Sequence, residues 1–188
     1  MYDWDVGDPS TNTWLLLVQA YQASRRVVEA ELGRYRITLG QFHILMLLAS
    51  SEAPLSPGEI ASYLFRERHT TSERLTRMEK AGYVKKNRSQ ADERMVRVEI
   101  TPKGKEFLYQ LLPRLVYSRH VTASFRGEEG NTQLNSFLRG VRDRSLQILG
   151  ERLMPLSSTT FDPSGLRTYL GSLRNDVQLD GADGSIIE

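Results

Sequence analysis

Residues 70–84 read Thr70-Thr71-Ser72-Glu73-Arg74-Leu75-Thr76-Arg77-Met78-Glu79-Lys80-Ala81-Gly82-Tyr83-Val84. Thr70 to Glu73 has the form of a capping box, and Gly82 is the residue type that most often stops a helix, so the spacing predicts a helix over 71–81. At about 100° per residue, Thr71, Met78 and Gly82 fall within roughly 60° of Leu75 and form the face turned to a core. The opposite side carries Thr70, Glu73 and Arg77, flanked by Arg74, Thr76 and Lys80. Hydroxyls and guanidinium groups on one exposed helical face suit the DNA major groove, where Arg grips guanine edges and Thr or Ser reaches phosphates or bases. The same face also reads as an ordinary solvated helix with ion pairs four residues apart.

The flanks narrow the choice. Upstream, Ser56-Pro57-Gly58-Glu59 is a second cap with proline at the first helical position, starting a short helix to about Leu64. Before it, Thr38-Leu39-Gly40-Gln41 caps a helix to about Ser50 whose FHILMLLA stretch is apolar nearly all round and is therefore buried. Downstream, 83–88 and 95–100 are two strands. Val96, Val98 and Ile100 alternate with Arg97 and Glu99, and a charged tip, Ser89 to Arg94, joins the pair. Thr101-Pro102 caps a helix running to about Ser124, kinked at Pro113.

Two long helices bracket this unit. Trp14, Leu17, Val18, Tyr21, Val28 and Leu32 mark one over 13–34. Leu134, Phe137, Val141, Ile148 and Leu149 mark another over 132–154, entered from a Gly127-to-Gly130 turn. Asp162-Pro163-Ser164 is a start signal for a short final helix. Three short helices and a hairpin between long arms make a mainly α winged helix-turn-helix. The expected division is a dimerisation arm at 1–37, a DNA-binding lobe at 38–104, C-terminal dimerisation helices at 105–155 and an extension at 156–188, disordered in its last residues.

Charge agrees with a polyanion binder. The chain has 188 residues with 25 Lys plus Arg and 23 Asp plus Glu. Twelve basic and six acidic residues lie between Arg66 and Lys105, net +6 there and −4 elsewhere. From Asp162 onward the net charge is −3. With no cysteine, thiol catalysis, disulfides and cysteine metal sites are out of reach. No GxSxG, phosphate loop, dinucleotide fingerprint or HExxH occurs, and His43, His69 and His120 are scattered. We therefore expect no enzyme, no cofactor and no metal. Apolar runs such as Leu15 to Val18 are far too short to span a bilayer, and Asp3, Asp5 and Asp8 stand where a secretory signal carries basic residues. The expected location is the cytoplasm.

From Thr38 to Gly104, about seventy residues, the chain resembles the MarR (multiple-antibiotic-resistance regulator) family of bacterial transcription factors. The resemblance is carried by TLGQFHILMLLA, SPGEIASYLF, TTSERLTRMEKAGYV, Asp92-Glu93-Arg94 in the wing, and VEITPKG, in that order and spacing. It implies a homodimer, a winged helix-turn-helix on each subunit, and a small-molecule pocket where the arms meet the lobes. By position, Thr70, Ser72 and Arg77 look like recognition-helix contacts, Arg94 like the wing arginine and Asp92 like its supporting acid. Asp92 also reads simply as a turn residue.

The candidate DNA-facing set is Arg68, His69, Thr70, Ser72, Glu73, Arg74, Arg77, Arg94 and Arg97. Glu73 departs from the family, which often has a basic residue there; it either caps its own helix or accepts a hydrogen bond from a cytosine amino group. Trp14, Tyr21, Arg25, Tyr35 and His43 are either core and interface residues or the lining of a cavity for an aromatic or anionic effector. The expected partners are double-stranded DNA and a second copy of the chain, with half-sites about 34–36 Å apart. The reading expected is a ligand-responsive repressor. The rival is a winged module for protein association, or an antirepressor, which would not need Arg77 and Arg94 exposed together.

Overall fold

The computed structural model of the chain describes residues 6–88, 96–115 and 127–150. Asp92, Arg94 and His120, the expected final helix and the C-terminal extension lie outside the described residues. The elements are α1 (Pro9–Gly33), α2 (Leu39–Ala49), α3 (Pro57–Tyr63), α4 (Arg68–Lys80), β1 (Val84–Arg88), β2 (Val96–Ile100), α5 (Pro102–Leu111), a single 3-10 turn (Leu112–Arg114) and α6 (Gly127–Leu149). The chain has a mainly helical, winged helix fold with a two-stranded hairpin as the wing.

Two of the three predicted capping boxes form. The Gln41 N–H donates to Thr38 Oγ1 at 3.3 Å and the Thr38 N–H donates to Gln41 Oε1 at 2.9 Å. At α3 the Ser56 N–H donates to Glu59 Oε2 at 2.6 Å and the Glu59 N–H to Ser56 Oγ at 3.2 Å. The third does not. Helix α4 begins at Arg68 with Glu67 as its N-cap and no side-chain cap bond. The Thr71 N–H already donates to the Glu67 carbonyl at 3.1 Å, so Thr70 sits inside the helix, where a cap conformation is impossible. Helix α1 likewise starts earlier than predicted, because Asp8 caps it by accepting from the Thr11 N–H at 2.7 Å and Pro9 fills the first position.

The C-terminal half departs further. Helix α5 stops at Leu111 and passes into the 3-10 turn holding Pro113, where a helix continuing through a kink was expected; residues 116–124 of that expected helix lie outside the described residues. Proline lacks the N–H that would bond the carbonyl four residues back, and its ring crowds that carbonyl. The Gly127-to-Gly130 segment, expected as a turn, is the first turn of α6, and that helix ends at Leu149.

The core lies between α2, α3, α4, α5 and the hairpin. Leu45, Ile60, Leu75, Met78, Val84, Val98 and Leu108 are almost wholly enclosed, and Leu32 of α1 joins them. No residue of α2 is exposed, as its all-round apolar sequence requires. Val84 pairs with Ile100 and Arg88 with Val96 in antiparallel register, and Leu55 adds a one-residue third strand through two hydrogen bonds to Val98 at 2.8 and 3.0 Å.

Two glycines fix the joint between α4, wing and α5. At Gly82 (φ +76°) the Tyr83 N–H returns to the Met78 carbonyl and the Gly82 N–H to that of Glu79, a Schellman closure. At Gly104 an added Cβ would land on the Tyr83 carbonyl oxygen, so only glycine lets α5 lie this close to the start of β1. Thr101 caps α5, its hydroxyl accepting from the Gly104 N–H at 3.0 Å and donating to the Gly82 carbonyl at 2.7 Å. Tyr83 stacks on Phe107 with ring centroids 4.8 Å apart.

Candidate nucleic-acid interface

Helix α4 is held from one side only. Thr71, Leu75 and Met78 are at most 2% exposed, as the wheel predicts. Roughly 150° around the helix stand Glu73 and Arg77, their side chains 67% and 72% exposed and 3.6 Å apart. Ser72, Thr76 and Lys80 are exposed beside them. His69 Nε2 lies 3.2 Å from the Thr70 hydroxyl at the start of the helix. Of the other two arginines of α4, Arg74 is half-buried and Arg68 is exposed. The Arg74 guanidinium lies over Gly40 of α2, where a Cβ would collide with it, and Arg68 lies over Gly58 of α3, its Cζ 3.7 Å from the Cβ that residue lacks.

The wing is anchored to both helices of the helix-turn-helix. Lys86 of β1 reaches α4: its backbone N–H donates to Glu79 Oε1 at 3.2 Å, and its Nζ lies 3.1 Å from Glu79 Oε2 and 2.9 Å from the Thr76 hydroxyl. Arg97 of β2 reaches α3, its Nη1 2.9 Å from Glu59 Oε2 with the arginine side chain 32% exposed. Partial burial alone would raise the Glu59 pKa, but hydrogen bonds from Ser56 and the charge of Arg97 hold it below the usual carboxylate range. Lys85 and Asn87 both engage Glu99 across the hairpin, at 3.0 and 2.6 Å. Arg97 is thus turned onto α3, while Asp92 and Arg94 lie outside the described residues.

Sequence reading missed the roles of Lys86, Glu79 and Glu59. Strand alternation was the available signal for Lys86: it shares a face with the buried Val84 and so points back toward α4. Glu59 pairs with a residue 38 positions away, which no local pattern reports.

The five residues expected to line an effector cavity do not converge within one chain. Trp14 and Tyr21 of α1 are 61% and 52% exposed, Arg25 pairs with Glu29 at 2.9 Å, and Tyr35 packs against the core. The reason is that α1 buries only Leu32, leaving its aromatic positions uncovered. Of the five, His43 lines an open groove of about 450 Å³ shared with Met46, Leu47, Ser50, Tyr63, Leu64 and Phe65. Burial, and then the charge of Arg66, lower the His43 pKa below its ordinary value. Burial first, then Glu59, raises that of Tyr63. Among the described residues there is no cluster of three or more potential metal ligands, and no helix is long and apolar enough to cross a membrane.

Residues 37–95, which span α2, α3, α4 and the first strand of the wing, match the MarR family. The chain is 27% identical over 115 residues to the HTH-type transcriptional regulator PecS of Dickeya dadantii, covering 60% of this chain and 69% of PecS. Among solved structures it is similar to MepR of S. aureus in complex with DNA, with a TM-score of 0.60 at 21% identity over 68% of this chain and 93% of that one. It is also similar to the organohalide-sensing regulator RdhR in its 2,4-dichlorophenol-bound form, with a TM-score of 0.67 at 21% identity over 84% of this chain and 95% of that one. Over residues 37–95 the chain thus carries a segment that matches the MarR family, and its helical lobe and wing follow one another in the order of that family's winged helix fold.

Proposed function

We propose that the protein is a ligand-responsive repressor that binds a palindromic operator as a homodimer in the cytoplasm. In this reading α4 enters the major groove and the hairpin tip reaches the neighbouring minor groove. The observation that carries it is the outward face of α4, where Arg77 and Glu73 stand open to solvent on a helix locked into the core from behind. Thr70, Ser72 and Arg77 meet bases and phosphates, with His69 and Arg68 at the entry of the helix and Arg74 as a flanking charge, while Arg97 acts by holding the wing to Glu59 of α3. Arg94 enters the minor groove, where a narrow width concentrates negative potential, and Asp92 directs it.

The two arms supply the dimer. Trp14, Leu16 and Tyr21 on α1, and Phe137, Ile148 and Leu149 on α6, are large apolar side chains at least half exposed in the single chain. Covering them with the same surfaces of a second copy removes that apolar area from water and holds two lobes at a fixed spacing. Residues 1–37 and 105–155 form this arm region, 38–104 the DNA-binding lobe and 156–188 an extension.

Ligand response draws support from RdhR, which has been solved with a chlorinated phenol bound, and from the groove beside His43. A small aromatic or anionic effector would act by preferring the dimer whose lobes are wrongly spaced for DNA, since equal affinity for both states shifts nothing. Footprinting on the upstream region of its own gene, with and without small phenols and aromatic acids, tests the proposal. The expected result is a two-fold symmetric footprint that an effector abolishes. A footprint indifferent to every such compound counts against ligand control, and transcription that falls on deletion of the gene counts against repression.

A further inference from the structure

Helix α4 carries two acids, Glu73 and Glu79. Glu79 is turned to the wing, where Lys86 occupies both of its oxygens. Glu73 has no such structural task. It does not cap the helix, since α4 begins at Arg68 with Glu67 in the cap position. Its partner is Arg77, four residues on, at 3.6 Å with both side chains about 70% exposed, a loose surface pair that contributes little to stability. The carboxylate therefore stands on the face that meets DNA, in the second turn of the helix, where recognition helices read base edges.

A carboxylate in the major groove is repelled by phosphate unless it finds a donor. Two base edges offer one there, the cytosine N4 amino group and the adenine N6 amino group. Adenine sets its N7 acceptor beside the donor and so opposes an anion, whereas cytosine presents only the donor. Guanine shows two acceptors, O6 and N7, which suit the guanidinium of Arg77. We infer that Glu73 is a specificity-determining residue that selects cytosine at one position of each half-site, with Arg77 taking guanine in an adjacent pair. The inference rests on α4 entering the major groove as proposed above.

The test is selection from a randomised duplex library by the full-length chain and by its Glu73→Gln and Glu73→Ala variants. Binding of each to the selected site and to single-base changes of it follows. Wild type is expected to prefer cytosine at one half-site position by about fivefold or more, the lower end for a good base contact. Glu73→Gln moves that preference to adenine, because an amide pairs with N6 and N7 together. Glu73→Ala loses it, leaves the other positions unchanged, and binds random duplex more tightly because an acid has been removed from a surface that meets a polyanion. Identical preferences at every position for all three proteins, or a wild-type site without the cytosine, would overturn the inference while leaving DNA reading by α4 intact. A wild-type protein that selects no sequence at all would instead remove the proposal beneath it.

Discussion

The joint between α4, the wing and α5 depends on the absence of one methyl group, and replacing it gives a prediction with a calculable size. In Gly104→Ala the new Cβ falls on the Tyr83 carbonyl oxygen and 2.9 Å from Ile100 Cγ1. That oxygen cannot swing aside freely, because it accepts from the Thr101 N–H at 3.0 Å. Overpacking a closed site costs about 1–3 kcal/mol, and an obstruction made of backbone belongs near the top of that range. The helical preference of alanine over glycine returns about 1 kcal/mol, leaving a net loss of about 2 kcal/mol. With a urea dependence of about 2 kcal/mol per molar, the unfolding midpoint should fall by about 1 M at unchanged slope and fixed protein concentration. Gly33, at the end of α1, has open space around it, and there the same substitution should raise stability by about 0.5 kcal/mol. A Gly104→Ala midpoint equal to or above wild type would refute the packing argument.

Three further outcomes follow from the site. Arg97→Ala should lower operator affinity without changing the slope of log affinity against log salt, because Arg97 holds the wing to Glu59; a slope reduced by about one would make it a phosphate contact instead. Arg94→Ala should weaken operator binding and flatten that slope while the urea midpoint stays put; an unchanged slope contradicts the wing contact. For His43, burial and Arg66 place the folded-state pKa below the ordinary 6.5, so the unfolded chain takes up the proton first. Its contribution is complete above that ordinary value and is lost as pH falls through the folded-state value, so stability should drop as the pH is taken down from about 6.5 through that lower value. His43→Gln should flatten the urea midpoint over that interval, and a profile identical to wild type would contradict the assignment.

What could be read from the sequence was what is local. The boxes Thr38 to Gln41 and Ser56 to Glu59 close within four residues, and both form. The alternation of Val96, Val98 and Ile100 with Arg97 and Glu99 sets the inner face of the wing at Val98 and Ile100 but not at Val96, which is exposed, and Lys80-Ala81-Gly82 stops α4 where predicted. Thr70 to Glu73 has an equally good local pattern, yet α4 runs through it, because the backbone is already helical at Thr71 and that side chain is buried. Capping chemistry proposes a boundary, and packing decides whether it is used. The start of α1 was legible in Asp8-Pro9, a proline cap of the same kind as Ser56-Pro57. At the site, the outward direction of Glu73 and Arg77 follows from helical period. The commitment of Arg97 to Glu59, of Lys86 to Glu79 and of Arg74 to the space over Gly40 depends on elements meeting in three dimensions. The groove at His43 is of the same kind, drawn from α2 and the end of α3.

The central claim is that two copies of α4, held at a fixed spacing by α1 and α6, read one operator. Sedimentation of the purified full-length chain with a duplex from its own upstream region, measured against excess random duplex, tests it directly. The account predicts two chains per duplex, with binding that survives the competitor and is lost in Arg77→Ala. One chain per duplex, or binding that random DNA removes equally well, would contradict it and favour a winged module that associates with protein.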